Sequence, residues 1–240
     1  MNAPQQPSAP LRIGMLVFPE ITSLDVLAPF EILSRASNSK VQLVWKTTDT
    51  VTGDTGLKLI PDASFADAPQ FDVLMIPGGP GQIALMDDVE VLTFLRKQAL
   101  GAKYLTSVCT GSLLLAAAGL MQGYKASTHW LSFDQLAQFG AVPTDERVVI
   151  DRDRITGGGV TSGLDFAFSV LAVLRGEHEA KRIQLFMEYD PQPPFESGHP
   201  RVASAALVEE VRTMAEPMLI RRREASAKAA QAMKSLDPLP

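Results

Sequence analysis

The sequence predicts an α/β fold: a doubly wound, mostly parallel sheet with helices on both faces. Three observations predict it. Short, continuous apolar runs recur along the chain; segments of helical character separate them; and Gly- and Pro-rich turns punctuate the ends of the runs. A strand that is apolar on both sides is buried on both faces, and strands that alternate with helices pair in parallel beneath two helical layers.

The first run, Ile13 to Phe18 (IGMLVF), reads as a buried strand stopped by Pro19. Leu24 to Leu33 (LDVLAPFEIL) reads as a helix with Pro29 inside it, where a missing N–H favours a kink. Val41 to Thr47 is the second strand, and the Thr- and Gly-rich stretch from Thr52 to Ile60 suggests a short edge hairpin. Val73 to Ile76 leads into the loop Pro77-Gly78-Gly79-Pro80-Gly81, followed by a helix from about Asp87 to Leu100. Tyr104 to Val108 is the next strand, with a helix from Thr110 to Ala118 directly behind it. Trp130 to Phe139 has helical character, and Arg147 to Asp151 and Arg154 to Thr156 flank a tight turn. Helices at Leu164 to Leu174, Glu177 to Glu188 and Val202 to Met233 complete the pattern. Residues 1–10 read as a disordered tail, 11–200 as a single α/β domain, and 201–240 as a C-terminal helix and tail that packs on the domain or on a partner.

Composition limits the function. A net charge of −5 argues against a nucleic-acid partner, which usually meets a basic face. No apolar stretch approaches the ~18 residues of a membrane span, and the N-terminal MNAPQQPSAP lacks the basic and apolar regions of a signal peptide. With one cysteine the chain forms no internal disulfide, which fits a reducing compartment such as the cytoplasm. One cysteine and three scattered histidines also argue against a zinc site. Arg221-Arg222-Arg223 reads as a solvated helix face.

The sharpest chemical signal is YLTSVCTGSLLLAAAG, Tyr104 to Gly119. A buried strand ends at Cys109 and a helix starts at once, which lifts the side chain out of the sheet as in the strained nucleophile turns of hydrolases. Ligands bind at the carboxyl ends of parallel strands in such folds. A helix N-terminus favours the thiolate and is expected to lower the pKa of Cys109. The ordinary alternative for a lone cysteine is a small buried thiol. A nucleophile needs a proton-transfer partner. Asp25, an acid in an apolar run just beyond the first strand, is either that partner or a charge complementing a helix N-terminus; Glu20 and Glu31 compete with it. Gly78 and Gly79, after a strand, can aim two N–H groups at developing negative charge, or form only a tight turn. Gly157 to Gly163 (GGGVTSG) matches neither nucleotide fingerprint and reads as a crowded strand-to-helix turn. His129 is a possible base for Cys109 or, as the favoured reading, a structural histidine bonded to the backbone.

Together, FPEITSLDVLAPFEIL, IPGGPG, SVCTGS, STHW and TGGGVTSGLDF resemble the glutamine-amidotransferase-like superfamily, which includes the Parkinson-disease-associated protein and intracellular proteases. The resemblance runs from about Leu11 to Glu224 and is nearest to bacterial isocyanide hydratases. It implies a flavodoxin-like, class I glutamine-amidotransferase-like sheet. It also implies Cys109 as nucleophile and Asp25 as general acid and base. Backbone N–H groups of Gly79, Thr110 or Val160 would steady the intermediate, and Gly78 belongs to the same loop. No metal or organic cofactor is implied; the partners are a small-molecule substrate and a second copy in a homodimer. Two departures from the wider superfamily bear on activity. Asp25 stands where many members carry Glu, and Thr110 stands where the protease-like members carry His, which argues against peptidase activity. Too few residues follow Pro200 for the helix-turn-helix module of the regulator-like members. The competing functions are a glyoxalase-like activity on 2-oxoaldehydes, and a non-enzymatic redox sensor or chaperone acting through Cys109 oxidation.

Overall fold

The computed structural model describes residues 10–236; most of the expected N-terminal tail therefore lies outside the described residues. Leu11–Leu16 (β1), Ser39–Trp45 (β2), Ala63–Ser64 (β5), Val73–Ile76 (β6), Tyr104–Val108 (β7), Val148–Asp151 (β10) and Arg154–Gly157 (β11) build one seven-stranded sheet. Its order is β10-β11-β7-β6-β1-β2-β5, and every pairing is parallel except the β10–β11 hairpin. Strands β1, β6, β7 and β11 are buried along almost their whole length, every residue of β6 and β11 included, whereas β2 is buried only at Val44 and Trp45.

Helices Ser23–Leu33 (α1), Ser162–Arg175 (α5) and Glu177–Phe186 (α6) pack together as one layer. Gln82–Leu85 (α2), Val89–Ala99 (α3), Gly111–Ala117 (α4) and Ala205–Met233 (α7) meet in the other. Local chemistry sets several of their starts. Asp88 caps α3 by accepting from the Val91 N–H, and Ser204 caps α7 by accepting from Leu207.

The helix expected from about Asp87 to Leu100 is α3, entered through the extended Asp88 cap, and α2 is a short additional helix ahead of it. Three other sequence expectations change. The hairpin around residues 52–60, Val51–Thr52 (β3) with Lys58–Leu59 (β4), forms a two-stranded sheet of its own, and the sheet edge is taken by β5. Trp130–Phe139 is a 3-10 helix, preceded by Lys125–Ala126 (β8), which pairs in parallel with Val142–Pro143 (β9) in a ribbon the sequence did not announce. Finally, the arginine run is not uniformly solvated: Arg222 is buried on the face of α7 that carries Leu219, Ser226, Ala229 and Ala230.

The register places the site. Ile76 lies beside Ser107, and Gly157 beside Val108, so β6, β7 and β11 end at one level next to β1. The chain winds outward from β1 to β2 and returns across β1 to β6, which makes this edge the switch point where such sheets accept ligands.

Candidate active site

Cys109 is the first residue past β7, and its φ of 57° puts a non-glycine residue in the left-handed region. That conformation is costly and persists only where neighbours hold it. Here the backbone is clamped on both sides. The Cys109 N–H donates to Gly158 O at 2.7 Å and to Gly157 O at 3.2 Å. Its carbonyl accepts from Thr128 Oγ1 at 2.9 Å and from Ser112 Oγ at 3.2 Å. The loop after β6 closes against this turn so tightly that two glycines are obligatory. A Cβ on Gly111 would lie 2.0 Å from Ile76 O, and one on Gly78 would lie 2.5 Å from Thr110 N and 2.9 Å from Cys109 Cβ.

Asp25 enters from the first turn of α1 and is fully buried. The loop that carries it is tied to the same edge: the Thr22 N–H donates to Gly78 O, and the Gly78 N–H returns a bond to Asp25 Oδ2 at 2.9 Å. Oδ1 has no hydrogen-bond partner of good geometry among the described residues. The one side chain whose ionisation is linked to Asp25 by direct contact is Cys109. Burial pushes the Asp25 carboxyl up to about 7, against the opposing Gly78 and Cys109 hydrogen bonds, with the charge of Asp54 adding to the rise. Pro29, one turn on in α1, has no N–H to donate to the Asp25 carbonyl and leaves the helix short of a bond there. Glu20 and Glu31 are exposed and stand apart from this pair.

The expectation of an acidic thiol is corrected by the structure. Cys109 is pushed well above the usual thiol range, first by burial and next by the neighbouring Asp25 charge. The Thr110 N–H and the charge of Arg222 act in the opposite direction without prevailing. The helix behind Cys109 is seven residues long, and its dipole does not offset the loss of water around a sulfur that is 5% exposed. Sulfur and carboxyl are a pair competing for protons, and an added negative charge on either raises the other.

The remaining expected residues fall close by with differing geometry. The Thr110 N–H interacts with the Cys109 sulfur. The N–H groups of Gly78 and Gly79 are already engaged, by Asp25 Oδ2 and by Thr110 Oγ1 at 3.2 Å respectively. Val160 is half-buried in the turn between β11 and α5, where Gly157 and Gly158 hold Cys109. His129 packs its ring on Gly159, where an added Cβ would be 2.9 Å from His129 Cδ2. Its Nδ1 accepts from the Leu131 N–H at 3.3 Å and caps the 3-10 helix, which places the ring proton on Nε2. Burial and Arg222 push its pKa down to about 4. A neutral imidazole with its acceptor nitrogen engaged is poorly suited to take a proton from Cys109. Thr128, Ser112 and Arg222 are site neighbours that the motifs alone do not reveal. The last was legible as part of the spacing Leu219, Arg222, Ser226, Ala229, which puts them on one helix face.

Residues 11–173 match the DJ-1/PfpI family. The chain belongs to that family. Among DJ-1/PfpI relatives, an isonitrile hydratase of Pseudomonas putida is 47% identical over 92% of this chain and 96% of its own length. A glutathione-independent glyoxalase, DJR-1.2 of Caenorhabditis elegans, is 25% identical over 67% of the chain and 86% of its own length. A ThiJ/PfpI family protein from Pseudomonas syringae shares the structure with a TM-score of 0.88 at 43% identity, covering 91% of each chain. Drosophila melanogaster DJ-1beta shares the fold with a TM-score of 0.68 at 24% identity, over 75% of this chain and 98% of that one. The DJ-1/PfpI match stops before α6, so α7 and its buried Arg222 lie outside it.

Among the described residues no group of three or more His, Cys, Asp or Glu is arranged to hold a metal, and no helix is long and apolar enough to cross a membrane.

Proposed function

We propose that this chain hydrates isocyanides to N-formamides, with Cys109 as nucleophile and Asp25 as the acid and base. The observation that carries the reading is Asp25 itself. It is a buried carboxyl pushed up to about 7, bonded through Oδ2 to the Gly78 N–H, with Oδ1 buried and unpaired, and its ionisation is tied to that of Cys109. Such a group both gives and accepts a proton near neutrality. The 47% identity to an isonitrile hydratase over nearly the whole chain selects the substrate class.

The reaction begins from the pair with one proton, carried on Asp25, and the thiolate of Cys109. The isocyanide carbon is carbene-like; it takes the sulfur and the Asp25 proton and becomes the thioimidate R–N=CH–S. Water then adds to the same carbon, giving a proton to Asp25, which relays it to nitrogen. Loss of the hydroxyl proton to Asp25 and of the thiolate from carbon releases R–NH–CHO and restores the pair. Thr110 N–H steadies the sulfur in its anionic stages, and Gly78 N–H fixes the carboxyl. Gly79 acts at one remove by orienting Thr110, and Val160 sits half-buried in the turn whose Gly157 and Gly158 carbonyls hold Cys109. The deep burial of both reacting groups favours a slender substrate that arrives end-on. We also propose a homodimer. Leu185, Phe186, Phe195, Val202 and Met214, on α6, the following segment and the first half of α7, are all more than 60% exposed, and a second copy would cover them.

The test is turnover with a panel of alkyl and aryl isocyanides beside methylglyoxal, together with intact mass after trapping. Formamide production and one adduct on Cys109 support the reading. Consumption of methylglyoxal with every isocyanide untouched would replace it with the glyoxalase activity.

A further inference from the structure

Arg222 is an unusual residue to find buried. It is 3% exposed, and no ion pair joins it to a carboxylate among the described residues. Its neighbour Arg223 illustrates the ordinary arrangement, reaching Asp134 at 3.4 Å and Glu216 at 3.6 Å from a partly exposed position. Arg222 instead donates from Nη1 to Ser132 Oγ at 3.2 Å, while Nη2 lies 3.4 Å from Met218 Sδ. Its Nε is buried without a hydrogen-bond partner. A guanidinium stays charged at any ordinary pH, so burying one without a counter-charge is expensive. The protein therefore holds a permanent positive charge inside itself, and an anion that compensates it must come from nearby.

The contacts lead from Arg222 to the nucleophile. Ser132 lies in the 3-10 helix capped by His129, and the preceding residue, Thr128, donates to the carbonyl of Cys109. Helix α7 packs both on that 3-10 helix and on α4, which starts directly after the nucleophile turn. We propose that Arg222 is a positioning residue of the active site, supplying from the C-terminal helix the positive charge that holds negative charge on the Cys109 sulfur. The coupling between the two is reciprocal: the Arg222 charge draws the thiol downward, and a Cys109 anion draws Arg222 upward. The Arg222 charge opposes burial and the Asp25 charge at the sulfur, so its loss leaves the thiol still harder to ionise. The charged and titratable groups acting on the pair are Asp25 on the sulfur, and Arg221 and the depressed His129 around the guanidinium. The mechanistic consequence deepens the hydratase reading and rests on it, whereas the electrostatic claim does not.

The experiment follows the thiolate absorbance of the whole protein against pH, subtracting the same variant carrying Cys109→Ser. Arg222→Met should move the midpoint of the sulfur titration to a pH higher by about one, a tenfold loss of thiolate at fixed pH. It should lower kcat on isocyanides by about tenfold or more with KM little changed, and Arg222→Lys should restore most of both. Ser132→Asp keeps the guanidinium but gives it a carboxylate, and the upward move should recur there. It serves as the independent check where Arg222→Met does not fold. A folded Arg222→Met or Ser132→Asp protein whose sulfur titrates as in the wild type overturns the inference. A displaced titration in the variants alongside a wild type that turns over no isocyanide leaves Arg222 in its role and removes the hydratase reading instead.

Discussion

Removing water from around Asp25 suits it to the proposed role of acid and base and makes it a liability to stability. In the unfolded chain its carboxyl ionises near the usual ~3.9, while in the fold it does so at about 7. Between those values the folded protein binds a proton that the unfolded chain has released. The group therefore favours folding most in acid, and that contribution is lost as pH rises through about 7. A tenfold change in proton affinity corresponds to roughly 1.4 kcal/mol, so a few kcal/mol are involved. Asp25→Asn, which keeps an acceptor for the Gly78 N–H, should exceed the wild type in Tm by several degrees more at about pH 8 than at about pH 5. Thermal scans at both values decide this, and equal differences at the two would show that Asp25 is not buried as a raised carboxyl. Activity should run the other way. The working pair carries one proton, so kcat/KM for an isocyanide should climb as pH rises through about 7 and hold until the second proton leaves, well above the ordinary thiol range. Asp25→Asn should lose that limb and ~10²–10⁴-fold in rate, the usual worth of a placed proton donor. Cys109→Ala should lose turnover and adduct entirely, because the chain has no second thiol.

At the scale of elements, the site depends on how closely the turn after β7 meets the loop after β6. An extra methyl on Gly111 or Gly78 has no room and must push backbone apart. Overpacking of this kind typically costs ~1–3 kcal/mol. Gly78→Ala should in addition misplace the donor to Asp25 and lower kcat by tenfold or more; urea unfolding and kinetics read the two effects separately. His129→Ala should cost about 1 kcal/mol as a lost cap and change kcat less than tenfold. The order of strands and helices was readable because apolar runs of strand length alternate with helical segments, and Cys109 was readable because a strand end and a helix start meet there. What the sequence did not disclose depends on three-dimensional context. The ribbon of β8 and β9 joins segments distant in sequence, burial rather than the helix terminus decides the direction in which the thiol moves, and the burial of Arg222 depends on which elements α7 packs against. The engagement of the Gly78 and Gly79 N–H groups was hidden for the same reason, since both acceptors come from segments distant in sequence.

The molecule as a whole presents its apolar side chains unevenly. Phe186, Phe195 and Met214 face solvent in the stretch from the end of α6 through the first half of α7, whereas the second half of α7 is docked on the domain. Phe186→Glu with Met214→Glu should convert a dimer into a monomer of 25.9 kDa in sedimentation velocity while leaving the far-ultraviolet spectrum unchanged; a wild type already sedimenting as a monomer would remove the dimer. The near-complete enclosure of Cys109 has a separate use. Since it is the chain's one thiol and is 5% exposed, a bulky aromatic disulfide reagent reaches it chiefly when the structure opens. The labelling rate then becomes a stopwatch for unfolding. When reclosing outruns the reagent it reports the free energy of opening, and when the reagent outruns reclosing it reports the opening rate itself. The purified protein thus carries a stability assay at its own single thiol, with no added probe site.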